Sequence, residues 1–286
     1  MLLGRRKVRD IHLDVHLREN DHVHMYVGLT RLVDAERTKD GLKISAAEAY
    51  LAQPCGAHLF RTWSVHEPGL ATALDGYLAK VEAPRAFLAT EGGVQASWSG
   101  ISAPWTPFDR EAVLGYSDTP AQKQGRLFAE VGAARGEIER LREGGEWAAL
   151  PVGKVGAELD QLAVDPSGRL VLIELKDASA SAASVYYAPL QLLQYVHEWT
   201  VAFDTVRDAL LALIKARKAL GLSPAETPDL DRGLRPIIGF GRDIRSKEVR
   251  ARFEQVRAII NRHLPAESSP IEAWAMDDRD QPLSIG

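Results

Sequence analysis

The chain has 286 residues, of which 45% are hydrophobic and 26% are charged, and this balance excludes an intrinsically disordered protein. Its single cysteine, Cys55, excludes an internal disulfide and a cysteine-ligated metal cluster. The formal net charge of -4 gives no global indication of a nucleic-acid partner.

The N-terminal segment MLLGRRKVRD is charged and has no apolar stretch behind it, so we do not expect a signal peptide. No run in the chain approaches the roughly 20 apolar residues that a membrane-spanning helix needs. We therefore expect a cytoplasmic protein that has no membrane partner. The length allows one large domain or two ordinary ones.

The first 120 residues predict a separate α+β module whose role the sequence does not indicate. Ile11–Arg18 alternates apolar and polar residues, which predicts a strand with one buried face, and His22–Thr30 continues as a second β-type run. The further predictions here are a turn at Asp40-Gly41, a capping box at Ser45–Glu48 that opens a helix to about Ala52, turns over Glu91–Gly100 and a loop at Pro104–Pro107.

Polar groups on the first strand could bind a metal. His12, Asp14 and His16 share one face of that strand, and His22 and His24 follow closely. Such a group of side chains can hold zinc or another transition metal. The same alternation is also typical of a solvated strand surface, and the sequence alone favours that second interpretation.

Three tryptophans of this part, Trp63, Trp98 and Trp105, could stack on nucleic-acid bases. Tryptophans in a protein core are more frequent, however, and we expect these three to be core residues.

The second part of the chain, residues 121–286, predicts a mixed α/β sheet flanked by helices on both faces. We place the boundary between the two domains near residue 120, next to a linker at Tyr116–Pro120. The predicted elements are helix Ala121–Arg142, a stop at Gly144-Gly145, strand Trp147–Val152, hairpin Glu158–Lys176, helices Pro189–Phe203 and Asp204–Leu220, strand Pro236–Phe240, helix Ser246–His263 and strand Ile271–Met276.

The hairpin Glu158–Lys176 is predicted from two apolar runs that flank a three-residue turn, Pro166–Gly168. A loop of this length with Gly last fits a type I turn closed by a G1 bulge, which places Gly168 in a left-handed conformation. Asp165 would then pair with Arg169 and fix the register of the two strands.

This register concentrates charge at the end of the hairpin away from its turn. Asp160 falls opposite Glu174, and Glu158 falls opposite Lys176. Opposed side chains have Cβ atoms roughly 4.5–5.5 Å apart, and two carboxylates at that separation repel unless a cation lies between them. Oxygen ligands without Cys or His favour Mg²⁺, Mn²⁺ or Ca²⁺. Alternatively, Lys176 pairs with Glu174 or Glu158, and the chain is an interaction protein without a metal.

A third motif lies on the helix that follows the hairpin. Gln191-Leu-x-x-Tyr195 places Gln191 and Tyr195 one turn apart on one helix face. Taken with Asp160 and Glu174-Leu-Lys176, in this order and spacing, the motif resembles the PD-(D/E)XK nuclease superfamily, especially its RecB-like branch. The resemblance covers residues 121–286.

The resemblance implies a restriction-endonuclease-like fold and a Mg²⁺- or Mn²⁺-dependent nuclease that hydrolyses phosphodiester bonds, with DNA as the first expectation and a homodimer possible. It implies metal ligation by Asp160, Glu174 and the carbonyl of Leu175, and activation of water by Lys176. Gln191 and Tyr195 would hold substrate or the waters of the metal site. The superfamily usually adds an acid from the preceding helix, for which we favour Glu130 over Glu137 and Glu139.

A non-catalytic nucleic-acid-binding module of the same fold is the alternative. Residues 232–262 contain nine basic side chains against three acidic ones, Asp243, Glu248 and Glu254, which could give a phosphate-facing surface. The nine are Arg232, Arg235, Arg242, Arg245, Lys247, Arg250, Arg252, Arg257 and Arg262. An arginine-rich helix that faces solvent would show the same pattern.

Overall fold

The computed structural model describes residues 7–8, 11–18, 21–64, 66–81, 91–101, 104–115, 128–151, 157–177, 181–222, 229–279 and 281–285. The chain divides into two compact units. The first contains residues 1–100 and 213–225, and the second contains residues 101–212 and 226–286. Among the described helices, none combines the length and the apolar character needed to cross a membrane.

The first unit is built on an antiparallel five-stranded sheet in the order β3-β4-β5-β6-β7, next to a two-stranded β1-β2 ribbon. Its strands are β1 (Lys7–Val8), β2 (Ile11–His12), β3 (Asp14–Arg18), β4 (His22–Val27), β5 (Thr30–Thr38), β6 (Gly41–Ser45) and β7 (Thr62–Trp63). Its helices are α1 (Glu48–Leu51), α2 (Leu70–Lys80) and α3 (Glu91–Ser99), with a 3-10 turn at Pro54–Gly56.

Alternation along the strands gives this sheet one apolar face. Val15 on β3, Met25 on β4 and Val33 on β5 are buried in one hydrophobic cluster. Tyr77 on α2 is completely buried in the same cluster, and its hydroxyl donates to the carbonyl of Leu32 at 3.1 Å. The strand predicted over Ile11–Arg18 therefore forms, although it is divided between β2 and β3, and β3 is buried on both faces at Asp14–His16.

Two local predictions in the first unit are wrong. The predicted capping box does not form, because Ser45 belongs to β6 and α1 starts after Ala47, whose side chain cannot cap. Most of the segment Glu91–Gly100, predicted as turns, forms helix α3 (Glu91–Ser99), although it contains two adjacent glycines. That helix buries Val94 and Trp98, and this burial offsets the low helix propensity of glycine.

The second unit contains a mixed six-stranded sheet in the order β13-β12-β11-β10-β9-β8. Its elements are β8 (Thr106–Ala112), α4 (Ala129–Arg142), β9 (Leu159–Val164), β10 (Arg169–Lys176), α5 (Ala182–Tyr186), α6 (Ala188–Ala219), β11 (Asp231–Phe240), α7 (Lys247–Asn261), β12 (Glu272–Met276) and β13 (Pro282–Ser284). The β10–β11 and β11–β12 pairs are parallel, and the other pairs are antiparallel. The predicted α/β class is confirmed.

The helices of the second unit agree in part with those predicted from the sequence. Helix α7 begins after Ser246, whose hydroxyl caps the N–H of Val249 at 3.3 Å, as expected of a Ser at this position. The two helices predicted over 189–220 are one continuous helix, α6, because nothing between Phe203 and Asp204 breaks the helical hydrogen bonding.

Several strands differ from the prediction. Of the loop predicted at Pro104–Pro107, the last two residues, Thr106 and Pro107, belong to β8, which pairs with β9. The described residues 147–151 form no strand, and β13 was not predicted. The linker at Tyr116–Pro120 and residues 121–127 of the predicted helix lie outside the described residues. The division at residue 100 differs from the boundary predicted near residue 120, because β8 joins the second sheet.

The three tryptophans are core residues, as expected. Trp63, Trp98 and Trp105 are 4%, 0% and 1% exposed. Trp105 packs edge-on against Trp274 on β12, with ring centroids 5.1 Å apart. Burial removes these rings from any surface on which a base could stack.

Candidate metal centre in the second unit

The hairpin turn has the predicted geometry. Gly168 has a φ of 89°, and the N–H of Asp165 donates to the carbonyl of Arg169 at 3.1 Å. The buried Asp165 carboxylate accepts from the N–H of Ser167 at 2.9 Å, and the Arg169 guanidinium donates to it at 2.9 Å. Burial raises the pKa of Asp165, but the hydrogen bonds from Ser167 and Arg169 outweigh it and lower that pKa below its ordinary value. The turn therefore fixes the register.

The backbone pairing of the two hairpin strands ends where the charged residues begin. The predicted register is observed through the pair Ile173–Gln161, at which the backbone pairing of β9 and β10 ends. Beyond it, the N–H of Leu175 donates to Oδ2 of Asp160 at 2.7 Å. A side chain thus replaces the backbone partner. The end of β10 stays paired with β11 on its other edge, through Glu174–Ile238 to Lys176–Phe240.

Glu174 and Lys176 lie together on one side of β10. Glu174 is only 1% exposed, and Nζ of Lys176 contacts its Oε1. An ionised carboxylate at such depth is costly unless a cation or hydrogen bonds compensate for it. Lys176 supplies one such cation, which is the pairing that the metal-free interpretation also predicts.

Helix α6 brings the third motif to the same place. The buried Tyr195 hydroxyl donates to the carbonyl of Glu158 at 2.8 Å, next to the start of β9, and accepts from Nε2 of Gln191 at 3.2 Å. Burial is the main cause that raises the pKa of Tyr195 above its ordinary value. The carboxylates of Glu174, Asp160 and Glu198 raise that pKa further, so all three act on this one hydroxyl.

Two residues of this helix face were not predicted. Glu198 is 2% exposed, and its Oε1 accepts from Nε2 of Gln194 at 2.6 Å. Oε1 of Gln194 is buried without a hydrogen-bond partner among the described residues. The spacing of Gln191, Tyr195 and Glu198, four and then three residues apart, places them on one face of α6, and this was the signal available in the sequence.

The three glutamates considered on α4 stand elsewhere. Glu130 is exposed in the first turn of the helix. Glu137 accepts from Nε2 of His263 at 2.8 Å and contacts Arg262, and the His263 bond is the main reason that its pKa is lowered. Glu139 pairs with Arg142. Glu198 on α6, rather than one of these, is the acid coupled to Tyr195.

The donor set fits a hard divalent cation. Asp160, the buried Glu174 and the Leu175 carbonyl offer only oxygen atoms, which suits Mg²⁺ or Mn²⁺. Within the part of the chain that the structure describes, no third Asp, Glu, His or Cys joins Asp160 and Glu174 with all ligand atoms within 4.8 Å. Mg²⁺ needs no such third side chain, because it keeps several waters and is commonly bound through one or two carboxylates.

The basic stretch of residues 232–262 is largely neutralised. Acids close in sequence provide some partners, and acids distant in sequence provide the others. The pairs are Arg232–Asp204, Arg235–Glu272, Arg242–Asp278, Arg250–Asp243, Arg252–Glu248, Arg257–Glu254 and Arg262–Glu137. Four of these acids, Asp204, Glu272, Asp278 and Glu137, lie outside the stretch and reduce the net positive charge on which the binding-only alternative depends.

The structure also shows where two polar residues of the first predicted strand, Asp14 and His16, lie. Asp14 and His16 are buried, with Nε2 of His16 2.6 Å from Oδ1 of Asp14 and the Ser99 hydroxyl donating to Oδ2 at 2.9 Å. The solvated surface expected for this face is therefore wrong at these two residues. The side chain of His12 lies outside the described residues.

No protein-family model, no curated protein and no solved structure matches this chain. The side chains that could form a metal centre are therefore those described above. They are the buried carboxylate of Glu174, the carboxylate of Asp160 just beyond the last β9–β10 backbone pair, and Lys176. The face of α6 that carries Tyr195 and Glu198 lies beside them.

Proposed function

We propose that this protein is a Mg²⁺-dependent nuclease that hydrolyses phosphodiester bonds in DNA, with a restriction-endonuclease-like arrangement of the second unit. The observation that carries the proposal is the end of β10, where the Asp160 carboxylate accepts from the Leu175 N–H and the Glu174 carboxylate contacts Lys176. We also propose a cytoplasmic location, because a single cysteine is usual in a reducing compartment.

Asp160, Glu174 and the carbonyl of Leu175 would hold the metal. When bound, Mg²⁺ supplies Lewis-acid polarisation of the scissile phosphate and charge for its developing negative oxygens. Asp160 is kept in place by the Leu175 N–H at 2.7 Å, so the strand itself orients this ligand. Glu174 is oriented by Lys176 and by the burial of its stem in the sheet.

Lys176 would act on the attacking water. Its Nζ contacts Glu174 in the structure, and in the proposed reaction this ammonium would orient a water molecule or stabilise a phosphorane oxygen. The hydroxyl of Tyr195 ties α6 to the Glu158 carbonyl, and the exposed Gln191 amide beside it would contact the substrate backbone. These contacts hold the helix face against the site.

The test is cleavage of circular plasmid and circular single-stranded DNA in the presence of Mg²⁺, Mn²⁺ or EDTA. We expect metal-dependent cutting by the wild type, and its loss in Lys176→Ala and Asp160→Asn, with both variants still folded by circular dichroism. Lys215→Ala, which changes an exposed lysine of α6, is the matched control and should cut normally. Because circles have no ends, cutting also establishes endonuclease action.

Other outcomes distinguish the proposed nuclease from the two alternative functions. Cutting that persists in Lys176→Ala would contradict the assigned active site. DNA binding in EDTA that falls steeply with salt, without cutting of circular or linear DNA, would support the binding-only alternative. The absence of both, with no thermal stabilisation by Mg²⁺ or Mn²⁺, would support the interaction protein in which the hairpin charges are merely paired.

A further inference from the structure

A separate group of metal-binding side chains lies in the first unit, on the polar face of its five-stranded sheet. His24 on β4 stands directly opposite Asp34 on β5, and His22 precedes His24 by two residues on the same face. One ligand atom from each of His22, His24 and Asp34 lies within 4.8 Å of the other two. Strand register, rather than a flexible loop, thus brings the three together.

The distances suit one small cation. Nδ1 of His22 is 2.8 Å and Nε2 of His24 is 3.6 Å from Oδ1 of Asp34. Ligand atoms at the corners of a tetrahedral zinc site, about 2.0–2.1 Å from the ion, are roughly 3.3 Å apart. The two observed separations bracket that value, so small rotations of the side chains suffice.

The contacts of His24 determine which of its two ring nitrogens can bind a metal. Its Nδ1 is 3.2 Å from the hydroxyl of Tyr26, and Nη1 of Arg31 is 3.3 Å from its Nε2. A guanidinium can only donate, so Nε2 must carry the lone pair and Nδ1 the hydrogen. This is the tautomer that a metal-binding histidine needs, with a partner on its other nitrogen.

Burial and neighbouring arginines favour the neutral form of the His24 imidazole. Burial is the main cause that lowers the pKa of His24, and Arg31 and Arg18 lower it further, while Asp34 raises it. Arg31 also approaches Oδ2 of Asp34 at 3.8 Å, so its guanidinium stands beside both Asp34 and His24. The Arg31 side chain is 41% exposed and can withdraw into solvent when another cation binds.

We propose that His22, His24 and Asp34 bind one divalent transition-metal ion of the zinc class, through His22 Nδ1, His24 Nε2 and an Asp34 oxygen, and that this ion displaces Arg31. Three protein ligands leave a coordination position to water. Nitrogen ligands separate this site from the all-oxygen set of Asp160 and Glu174, so it does not depend on the proposed nuclease function.

The experiment is a titration of metal-free, full-length protein without a polyhistidine tag, with Zn²⁺ followed by calorimetry and Co²⁺ followed by its visible ligand-field absorption. Mg²⁺ is present in millimolar excess to occupy oxygen-only sites. We expect one equivalent of Zn²⁺ to bind to the wild type. Asp34→Asn and His24→Gln should weaken binding by roughly 100-fold or more, since even outer partners of ligands contribute 10–100-fold.

Two further variants make the test specific. His58→Gln and His66→Gln change exposed histidines of the same unit and should bind Zn²⁺ as the wild type does. Arg31→Ala removes the competing charge and should tighten binding by about tenfold or more. Absence of a one-to-one Zn²⁺ complex in both the wild type and Arg31→Ala, or undiminished binding in a folded Asp34→Asn variant, would overturn the proposal.

Discussion

Tyr195 is the residue whose hydroxyl joins helix α6 to the start of β9. Removing that hydroxyl in Tyr195→Phe breaks its hydrogen bond to the Glu158 carbonyl, which should lower the free energy of unfolding by about 1 kcal/mol. Gln191 also loses the acceptor that orients its amide. We therefore expect slower DNA cleavage as well as lower stability, measured by urea unfolding and by plasmid cutting.

Tyr187→Phe is the matched control for Tyr195→Phe. The Tyr187 hydroxyl likewise donates to a backbone carbonyl, that of Ala148, at 2.8 Å. Burial is the main cause that raises its pKa, and the next largest effect comes from Tyr186, not from Asp160 or Glu174. Its loss should lower stability by a similar amount and leave cleavage unchanged. Equal effects of the two substitutions on cleavage would show that Tyr195 has only a structural role.

At the scale of the element, the hairpin turn depends on one glycine. A Cβ at Gly168 would lie 2.1 Å from the carbonyl oxygen of Asp229, at a φ that other residues rarely adopt. Gly168→Ala should therefore lower the free energy of unfolding by roughly 2–4 kcal/mol. Gly132→Ala in α4 meets no atom within 4 Å and should raise it by about 1 kcal/mol. Urea unfolding of both variants gives the comparison, and a neutral Gly168→Ala would contradict this account.

An ion pair between two neighbouring strands predicts a response to acid. Arg235 on β11 donates twice to Glu272 on β12, at 2.7 and 2.8 Å, and Trp274 donates to Glu272 at 2.8 Å. Burial raises the pKa of Glu272, but these bonds outweigh it and lower that pKa below its ordinary value of 4.5. A lowered carboxyl pKa stabilises the folded state above the unfolded value, and this contribution disappears as the pH falls through the folded value.

We therefore expect the free energy of unfolding to be steady between pH 7 and about 5 and to fall below about pH 4.5. Glu272→Gln should be less stable than the wild type at pH 7, but the difference should shrink at pH 3. Urea unfolding at pH 7, pH 5 and pH 3 tests this, and Glu143→Gln, which changes an exposed glutamate, is the control. A difference that stays constant with pH would contradict the assigned pair.

The elements that the sequence predicted well are those determined by local chemistry. The turn at Gly168 needs a residue that tolerates positive φ, and the register follows from that turn through Ile173–Gln161. The cap at Ser246 is equally local. In contrast, β8 is a strand because it pairs with β9, about fifty residues away, and no local pattern indicates that partner.

At the scale of the whole molecule, the predicted site is brought together only in part. Asp160, Glu174, Lys176, Gln191 and Tyr195 were predicted from the hairpin register and from the resemblance to a nuclease superfamily. The structure links them by hydrogen bonds and by shared electrostatics. The partners of the basic stretch were not predicted, since acids such as Glu137 and Asp204 reach it only through the tertiary fold. Likewise, the coupling of Glu198 to Tyr195 became visible only in the structure.

The two proposed sites lie in different compact units, so each metal should stabilise its own part of the chain. Ligand binding to the folded state slows the local opening that permits amide hydrogen exchange. We expect one equivalent of Zn²⁺, added with millimolar Mg²⁺, to slow exchange over β4 and β5. Mn²⁺ without Zn²⁺ should slow it over the end of β10 and the first turns of α6. Exchange followed by mass spectrometry resolves these segments.

The variants separate the two sites within one experiment. Asp34→Asn should abolish the Zn²⁺ protection of β4 and β5 and leave the Mn²⁺ protection of β10 unchanged, because its unit does not contain Asp160 or Glu174. Asp160→Asn should abolish the Mn²⁺ protection of β10 and leave the Zn²⁺ protection of β4 and β5 unchanged. Zn²⁺ protection of β4 and β5 that survives in Asp34→Asn would mean that the histidines and Asp34 do not bind the ion. Mn²⁺ protection of β10 that survives in Asp160→Asn would remove the carboxylate pair from the proposed nuclease site, whatever the outcome at the other site.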